Sequence, residues 1–446
     1  MSMVTKGIGL AKKVKHHFQD EIQARRPVYL SPVRRVERVA TEERVCAMTF
    51  DDGPCRLPAN PDSFGKKPLT LVLAETLEKY GALGTFDVVG DTGKNYPDKA
   101  GKHGSASWGG VAFDHYPDFG KDSEGGVAHC PELVERLLEA GHEITSHTWA
   151  HILFGWKPLV YGRRKHLQGL DAVVKDLKTL HQAMEGQWGY RIGLSRPPHY
   201  VDGIQGGFSS YDAYGLMEYQ YMGASFDGAG WLPLANYQAE VDACWQPMEQ
   251  ALAKDKEFFR GQIIFQKDGY NMARRSPIAH GLDKQLALLT AQGYRVVTVS
   301  QLLKLSPFRD VLPSTPEGTG ARFLLERGWC PAYQDNSLRP GQILTRGELA
   351  MMAYGWPGVA RRVEFIQSGQ GSFPDVKAKH PYSGAIALAA EEKALGLIQG
   401  RFGPDKPATS AEVAKVFQIK GQHISQLPQG VLTHGQVFAA VEITSS

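Results

Sequence analysis

Cysteine is scarce in this chain and long apolar runs are missing. The five cysteines, Cys46, Cys55, Cys130, Cys244 and Cys330, are odd in number, scattered, and form no C-x-x-C pair. That excludes a disulfide framework and a structural zinc site built on thiolates. No stretch approaches the roughly 20 apolar residues needed to span a bilayer. Charge of one sign is lacking too: Lys and Arg number 50 against 47 Asp and Glu, a formal net charge of +3. So small a surplus gives no argument for a nucleic-acid partner. A secretory leader is not legible either, because the apolar stretch at 8–11 is too short and no small-residue cleavage site follows. The 446 residues, 42% apolar and 22% charged, describe an ordinary soluble globular chain with length for roughly two or three domains.

Against these absences stand two short segments rich in chemistry. T-F-D-D-G-P at 49–54 supplies the adjacent carboxylates Asp51 and Asp52, and H-T-W-A-H at 147–151 supplies His147 and His151. Imidazoles four residues apart project to one side of a helical turn, and neutral imidazole suits borderline-soft divalent metals. One carboxylate completes a three-ligand set and leaves a position open for water. The other, beside the first but off the metal, serves as general base. By itself H-x-x-x-H is most often a surface or capping pair, and the acidic pair is what gives it meaning. Cys55, just past the aspartates, reads as a buried bystander or as a thiol near the metal.

These motifs resemble those of the polysaccharide deacetylases of carbohydrate esterase family 4, the NodB-homology group. The resemblance spans about 44–303 and includes L-S-R-P-P at 194–198, F-D-G-A-G-W at 226–231, G-Q-I-I-F-Q-K-D-G at 261–269 and G-Y-R-V-V-T-V-S at 293–300. It implies Asp51 as base and Asp52, His147 and His151 as ligands of a divalent metal, Zn²⁺ first, with Co²⁺ or Ni²⁺ as substitutes. Arg196 would tether Asp51, Asp227 would support Arg196, and Trp231 would wall the acetyl methyl. Two departures follow. Lys267 stands where the family has the histidine that protonates the leaving amine, with His199 and His280 as alternative donors. His199 also stands where the family has the aromatic whose backbone N–H holds the oxyanion, so either Tyr200 has shifted by one or His199 fills that place.

Strand patterns at 45–50, 85–89, 142–146, 263–266 and 294–299 alternate with helical patterns at 70–80, 131–139, 170–184 and 283–290. That order predicts an α/β fold with a parallel sheet and chemistry at the carboxyl ends of its strands. The resemblance implies a distorted, incomplete (β/α)7 barrel over 44–305. An insertion at about 91–130 carries Trp108, Phe113, His115, Tyr116 and Phe119, and reads either as a substrate wall or as packing. Residues 1–43 are basic, with Val4, Ile8, Ala11, Val14, Phe18 and Ile22 near helical spacing opposite Lys6, Lys12, Lys13 and Lys15. Such an amphipathic segment lies on an anionic membrane surface or packs on its own domain.

From 306 onward an internal repeat appears. F-R-D-V at 308–311 recurs as F-P-D-V at 373–376, and T-R-G-E at 345–348 recurs as T-S-A-E at 409–412. Each T-x-x-E ahead of an apolar run opens a helix through a capping box. The copies, about 306–368 and 369–420 with a degenerate remainder at 421–446, resemble S-layer homology modules. The resemblance implies a small, mainly helical domain and, as partner, a secondary cell-wall polymer, with Arg346 in the ligand-contacting place that Ser410 and His434 take elsewhere. The resulting expectation is a metal-dependent deacetylase acting on N-acetyl groups of peptidoglycan, an N-acetylglucosamine polymer or a related polysaccharide, held at the wall by its repeats. The rival readings are an O-acetyl esterase or small-amide deacylase on the same scaffold, and a wall-binding protein with an impaired catalytic domain. The repeats point to the cell surface, while the illegible leader leaves a cytoplasmic location open.

Overall fold

The computed structural model describes residues 27–59, 63–91, 124–156, 165–231, 234–269 and 275–443. The helical pattern of residues 4–22 and the aromatics of the insertion at 92–123 therefore lie outside the described residues. The strands are β1 (Arg35–Val36), β2 (Val45–Asp51), β3 (Thr85–Val88), β4 (Glu143–Ser146), β5 (Leu194–Ser195), the antiparallel pair β6 (Gly203–Ile204) and β7 (Phe208–Ser209), β8 (Gln220–Met222), β9 (Phe226–Asp227), β10 (Ile263–Lys267) and β11 (Arg295–Val297). Between and after them run α1 (Leu69–Lys79), α2 (Pro131–Glu139), α3 (Leu170–Trp188), α4 (Ser210–Met217), α5 (Tyr237–Lys254), α6 (Ile278–Ala291) and α7 (Val299–Leu305).

β2 is buried along its whole length, as a strand covered on both faces must be. It pairs with β10 along one edge, and with β11 at its start and β3 at its end along the other. The curled sheet runs β1-β8-β5-β4-β3-β2-β10-β9 with β11 beside β2, nine strands in all and every pairing parallel. This is the parallel α/β sheet that the alternation predicts, in the open, distorted barrel that the resemblance implies. Phe50 and Phe86 stack at 4.8 Å within a core that also takes Leu73 and Leu77 of α1, Leu137 of α2, Leu177 of α3 and Leu286 of α6.

Register decides what the carboxyl ends present. Lys267 pairs with Asp51, Asp51 with Asp87, and Asp87 with Thr145. Four neighbouring strands thus place an ammonium, two carboxylates and a hydroxyl side by side at one level.

The N-terminal segment is not one unit up to 43. β1 pairs with β8 in the sheet, and Leu30 bridges to Tyr333 and is buried among the C-terminal residues. Arg34 donates to the carbonyl of Pro307 at 3.0 Å and to Asn336 at 3.1 Å. Residues 30–36 stitch the sheet to the repeats, which no amphipathic pattern could reveal.

The C-terminal part holds α8 (Pro316–Glu326), α9 (Arg346–Ser368), α10 (Ser383–Glu391), α11 (Ser410–Ile419) and α12 (His434–Ala439). Capping boxes open three of them, Thr345 with Glu348, Thr409 with Glu412 and Thr433 with Gln436. The repeat is also one of contacts. Asp310 accepts from the backbone of Leu338 and Arg339 at 2.8 and 2.9 Å, and Asp375 accepts from Phe402 and Gly403 at 3.1 and 2.7 Å. The arginine expected to meet a polymer is elsewhere occupied. Arg346 is 2% exposed, ion-paired with Glu412 of the next copy, and donates to the carbonyl of Phe402 at 3.0 Å. His434, at the matching position of the degenerate copy, packs its Nε2 3.4 Å from Glu348 and 3.1 Å from the Tyr333 hydroxyl. Burial pushes the Glu348 carboxyl up, but the bonds from His434 and Tyr333 hold it down at about 2. These positions interlock the copies.

Candidate metal and hydrolytic site

Asp52 follows β2 in a left-handed conformation (φ 82°) and His147 follows β4 directly. The chain from His147 to His151 is not helical, which corrects the geometry expected from the spacing. Thr148 at φ 75° and His151 at φ 50° fold it into a tight non-helical turn. That turn still brings the two Nε2 atoms to 3.1 Å, with Asp52 Oδ1 at 3.3 Å from His147 and 3.4 Å from His151. Asp176 of α3 supports the turn by accepting the Trp149 N–H at 2.7 Å. Burial pushes that carboxyl up to about 6 against the backbone bonds of Trp149 and Ala150 that lower it. Gly90 lets the turn close, because a Cβ there would meet the Trp149 ring at 2.1 Å.

The donor set fits a divalent metal. One proton shared among three converging atoms bonds a single pair, whereas a dication engages the carboxylate and both imidazoles at once. Burial lowers the His147 pKa, but Asp87 and Asp51, with bonds to Asp52 and Asp87, hold it well above the ordinary histidine value. The same carboxylates favour a cation.

Asp51 is 3% exposed. Its Oδ1 accepts from Arg196, and its Oδ2 lies 4.0 Å from His147 Nε2. Burial pushes the Asp51 carboxyl up to about 7; Arg196 and His147 pull it down, while Asp87 and Asp52 push with burial. Arg196 is wholly buried and spends its remaining donors on Met222 O at 3.1 Å, Gly223 O at 2.9 Å and Thr49 at 3.1 Å. Asp227 is not among its partners. That residue is exposed and accepts from Ala229 N at 2.9 Å and Trp231 Nε1 at 3.0 Å. It therefore orients the half-buried Trp231 rather than Arg196.

Lys267 is buried, its Nζ 2.5 Å from Asp52 Oδ2. His199 (φ 53°) sets its ring edge-on to His151 at 5.1 Å. Tyr200 turns back, its ring 5.5 Å from the Arg196 guanidinium and 5.3 Å from that of Arg35, and its N–H donates to Pro197 O at 3.0 Å. That bond removes the Tyr200 N–H as an oxyanion donor. His280 sits apart, bonded to the Tyr237 hydroxyl at 2.7 Å and packed on Phe64. Cys55 is buried and is not among the converging ligand atoms. Of the eleven non-glycine residues with positive φ among those described, Asp52, Thr148, His151, His199 and Tyr200 cluster here, where backbone strain is held by surrounding structure.

The motifs contain neither Asp87 nor Asp176, and they assign no role to Asp268 within 261–269. Asp268 accepts from Thr70 at 2.7 Å, and burial pushes it up to about 7. A Cβ on Gly53 would fall 2.0 Å from its Oδ2, which is why glycine follows the aspartate pair. Asp87 left one legible signal, a charge flanked by Phe86 and Val88 in a strand pattern.

Residues 38–200 match the model of the polysaccharide deacetylase family, and residues 372–414 match that of the S-layer homology domain. Peptidoglycan-N-acetylmuramic acid deacetylase PdaC of Bacillus subtilis (strain 168) is 26% identical over 274 residues, 61% of this chain and 42% of PdaC. Peptidoglycan-N-acetylglucosamine deacetylase PgdA of Listeria monocytogenes serotype 1/2a (strain 10403S) is 23% identical over 297 residues, 65% of this chain and 46% of PgdA. The chain thus spans less than half the length of these curated relatives. The solved structure of PdaC from Bacillus subtilis aligns with a TM-score of 0.37 at 24% identity, covering 60% of this chain and 91% of that one.

Proposed function

We propose that this chain, whose residues 38–200 match the polysaccharide deacetylase family and whose residues 372–414 match the S-layer homology domain, is a metal-dependent hydrolase. Its substrate is an N-acetylated cell-wall or related polysaccharide, peptidoglycan or a polymer of N-acetylglucosamine. The observation that carries this reading is the convergence of Asp52 Oδ1, His147 Nε2 and His151 Nε2, with Asp51 beside them on Arg196. A bound divalent ion, Zn²⁺ first and Co²⁺ or Ni²⁺ as substitutes, supplies Lewis-acid polarisation of the acetyl carbonyl and an acidified water. Asp51 takes the proton of the attacking water on Oδ2, the oxygen that Arg196 leaves to the site. Lys267 assists departure of the amine, with His199 as the neighbouring alternative. Trp231, aligned by Asp227, walls the acetyl methyl. The repeats hold the enzyme at the wall and raise its effective concentration there. With Arg346 buried, polymer contact falls to other surface residues.

A second reading rests on the Lys267–Asp52 ion pair. An ammonium engaged by Asp52 is drawn away from a leaving group, which handicaps amine departure more than alkoxide departure and so favours O-acetyl esters. Acetate release from peptidoglycan, N-acetylglucosamine oligomers and acetylated xylan, with zinc and with a chelator, separates the two. Release from the first two that depends on zinc and is lost in Asp51→Asn supports the amide reading. Release from xylan alone replaces it with the ester reading, and none from any of the three contradicts both.

A further inference from the structure

We propose that Asp87 is a positioning residue of the metal site, holding the His147 imidazole so that Nε2 faces Asp52 and His151. This rests on the reading of Asp52, His147 and His151 as ligands. Asp87 lies on β3, is 0% exposed, and sits between Asp51 and Thr145 in the strand register. A carboxylate so buried is costly unless bonded, and its partners define its work. Thr145 donates to Oδ1 at 2.6 Å, which fixes the plane of the group. Oδ2 then lies 2.8 Å from His147 Nδ1.

His147 Nδ1 also lies 2.9 Å from the carbonyl of Arg196. Both neighbours are acceptors, so Nδ1 carries the proton and Nε2 is the nitrogen left to bind metal. The carbonyl alone would select that tautomer. The carboxylate adds negative charge behind the ring, which strengthens the imidazole as a donor. The same atoms, Asp51, Asp87 and His147, also lie close enough to hold a cation of their own. The buried guanidinium of Arg196 on Asp51 opposes a second cation there, which favours the 2.8 Å charge contact between Asp87 and the imidazole.

Zn²⁺ affinity of the full chain, measured by competition with a chromophoric chelator, tests the assignment in wild type, Asp87→Asn and Asp87→Ala. Wild type binds one equivalent. Asp87→Ala loses roughly 10–100-fold in affinity and Asp87→Asn, which keeps an acceptor but not the charge, falls between. The zinc-free melting temperature of Asp87→Asn checks folding, and that variant carries the comparison if Asp87→Ala does not fold. One equivalent bound with equal affinity by all three overturns the role of Asp87 and leaves the ligand reading intact. No binding by wild type overturns the ligand reading itself. Two equivalents in wild type, one of them lost in Asp87→Asn, replaces positioning with a second cation site.

Discussion

Lys267 Nζ approaches Asp52 Oδ2 at 2.5 Å, while Asp52 Oδ1 faces both imidazoles. One carboxylate therefore joins a buried ammonium on one side and the ligand cluster on the other. Replacing Lys267 by Met leaves Asp52 buried without this counter-ion, an arrangement that costs about 3–5 kcal/mol. Urea titration of the metal-free protein should show that loss, and added zinc should recover part of it. A loss below about 1 kcal/mol would contradict the pairing.

Arg196 divides its donors among Asp51, Thr49 and two carbonyls, a fork that lysine does not reproduce. Arg196→Lys should lower kcat by roughly 100-fold through a misplaced Asp51, with KM little changed. A rise in KM at constant kcat would instead place Arg196 in substrate binding.

His142 gives a pH dependence outside the site. Its Nδ1 accepts the Gly84 N–H at 3.1 Å, and burial lowers its pKa to about 4. Between that value and the unfolded value near ~6.5, the unfolded chain binds the extra proton. This contribution to stability is complete above pH ~6.5 and is lost as pH falls toward 4, on the order of 3 kcal/mol in full. Urea midpoints between pH 4 and 7 should rise with pH in wild type and rise less in His142→Gln. Equal slopes would remove His142 as the cause.

In the repeats, the pair of buried Arg346 and half-buried Glu412 predicts a coupling of about 0.5–3 kcal/mol in a double-mutant cycle of Arg346→Met and Glu412→Gln. Arg346→Met should still sediment with purified cell walls as wild type does. Lost sedimentation by the folded variant would return Arg346 to polymer binding.

The part of the site legible in the sequence was the part carried by short contiguous motifs. The acid pair and both histidines are legible because each pair is adjacent or nearly so in the chain, and the parallel fold follows from alternation. The shape of the 147–151 turn was not legible, because left-handed backbone at Thr148 and His151 is imposed by Asp176 and Gly90 from other elements. Asp87 escaped because its role depends on strand register, and Arg346 changed role because burial by the neighbouring copy is a tertiary fact. β1 was hidden since two residues are too few to show a period.

Zinc-edge anomalous diffraction from crystals grown with zinc tests the central claim most directly. One peak within coordination distance of Asp52, His147 and His151, with Asp51 outside the coordination sphere, is the expected result. An absent peak at full zinc exposure, or one bound by other residues, would contradict it.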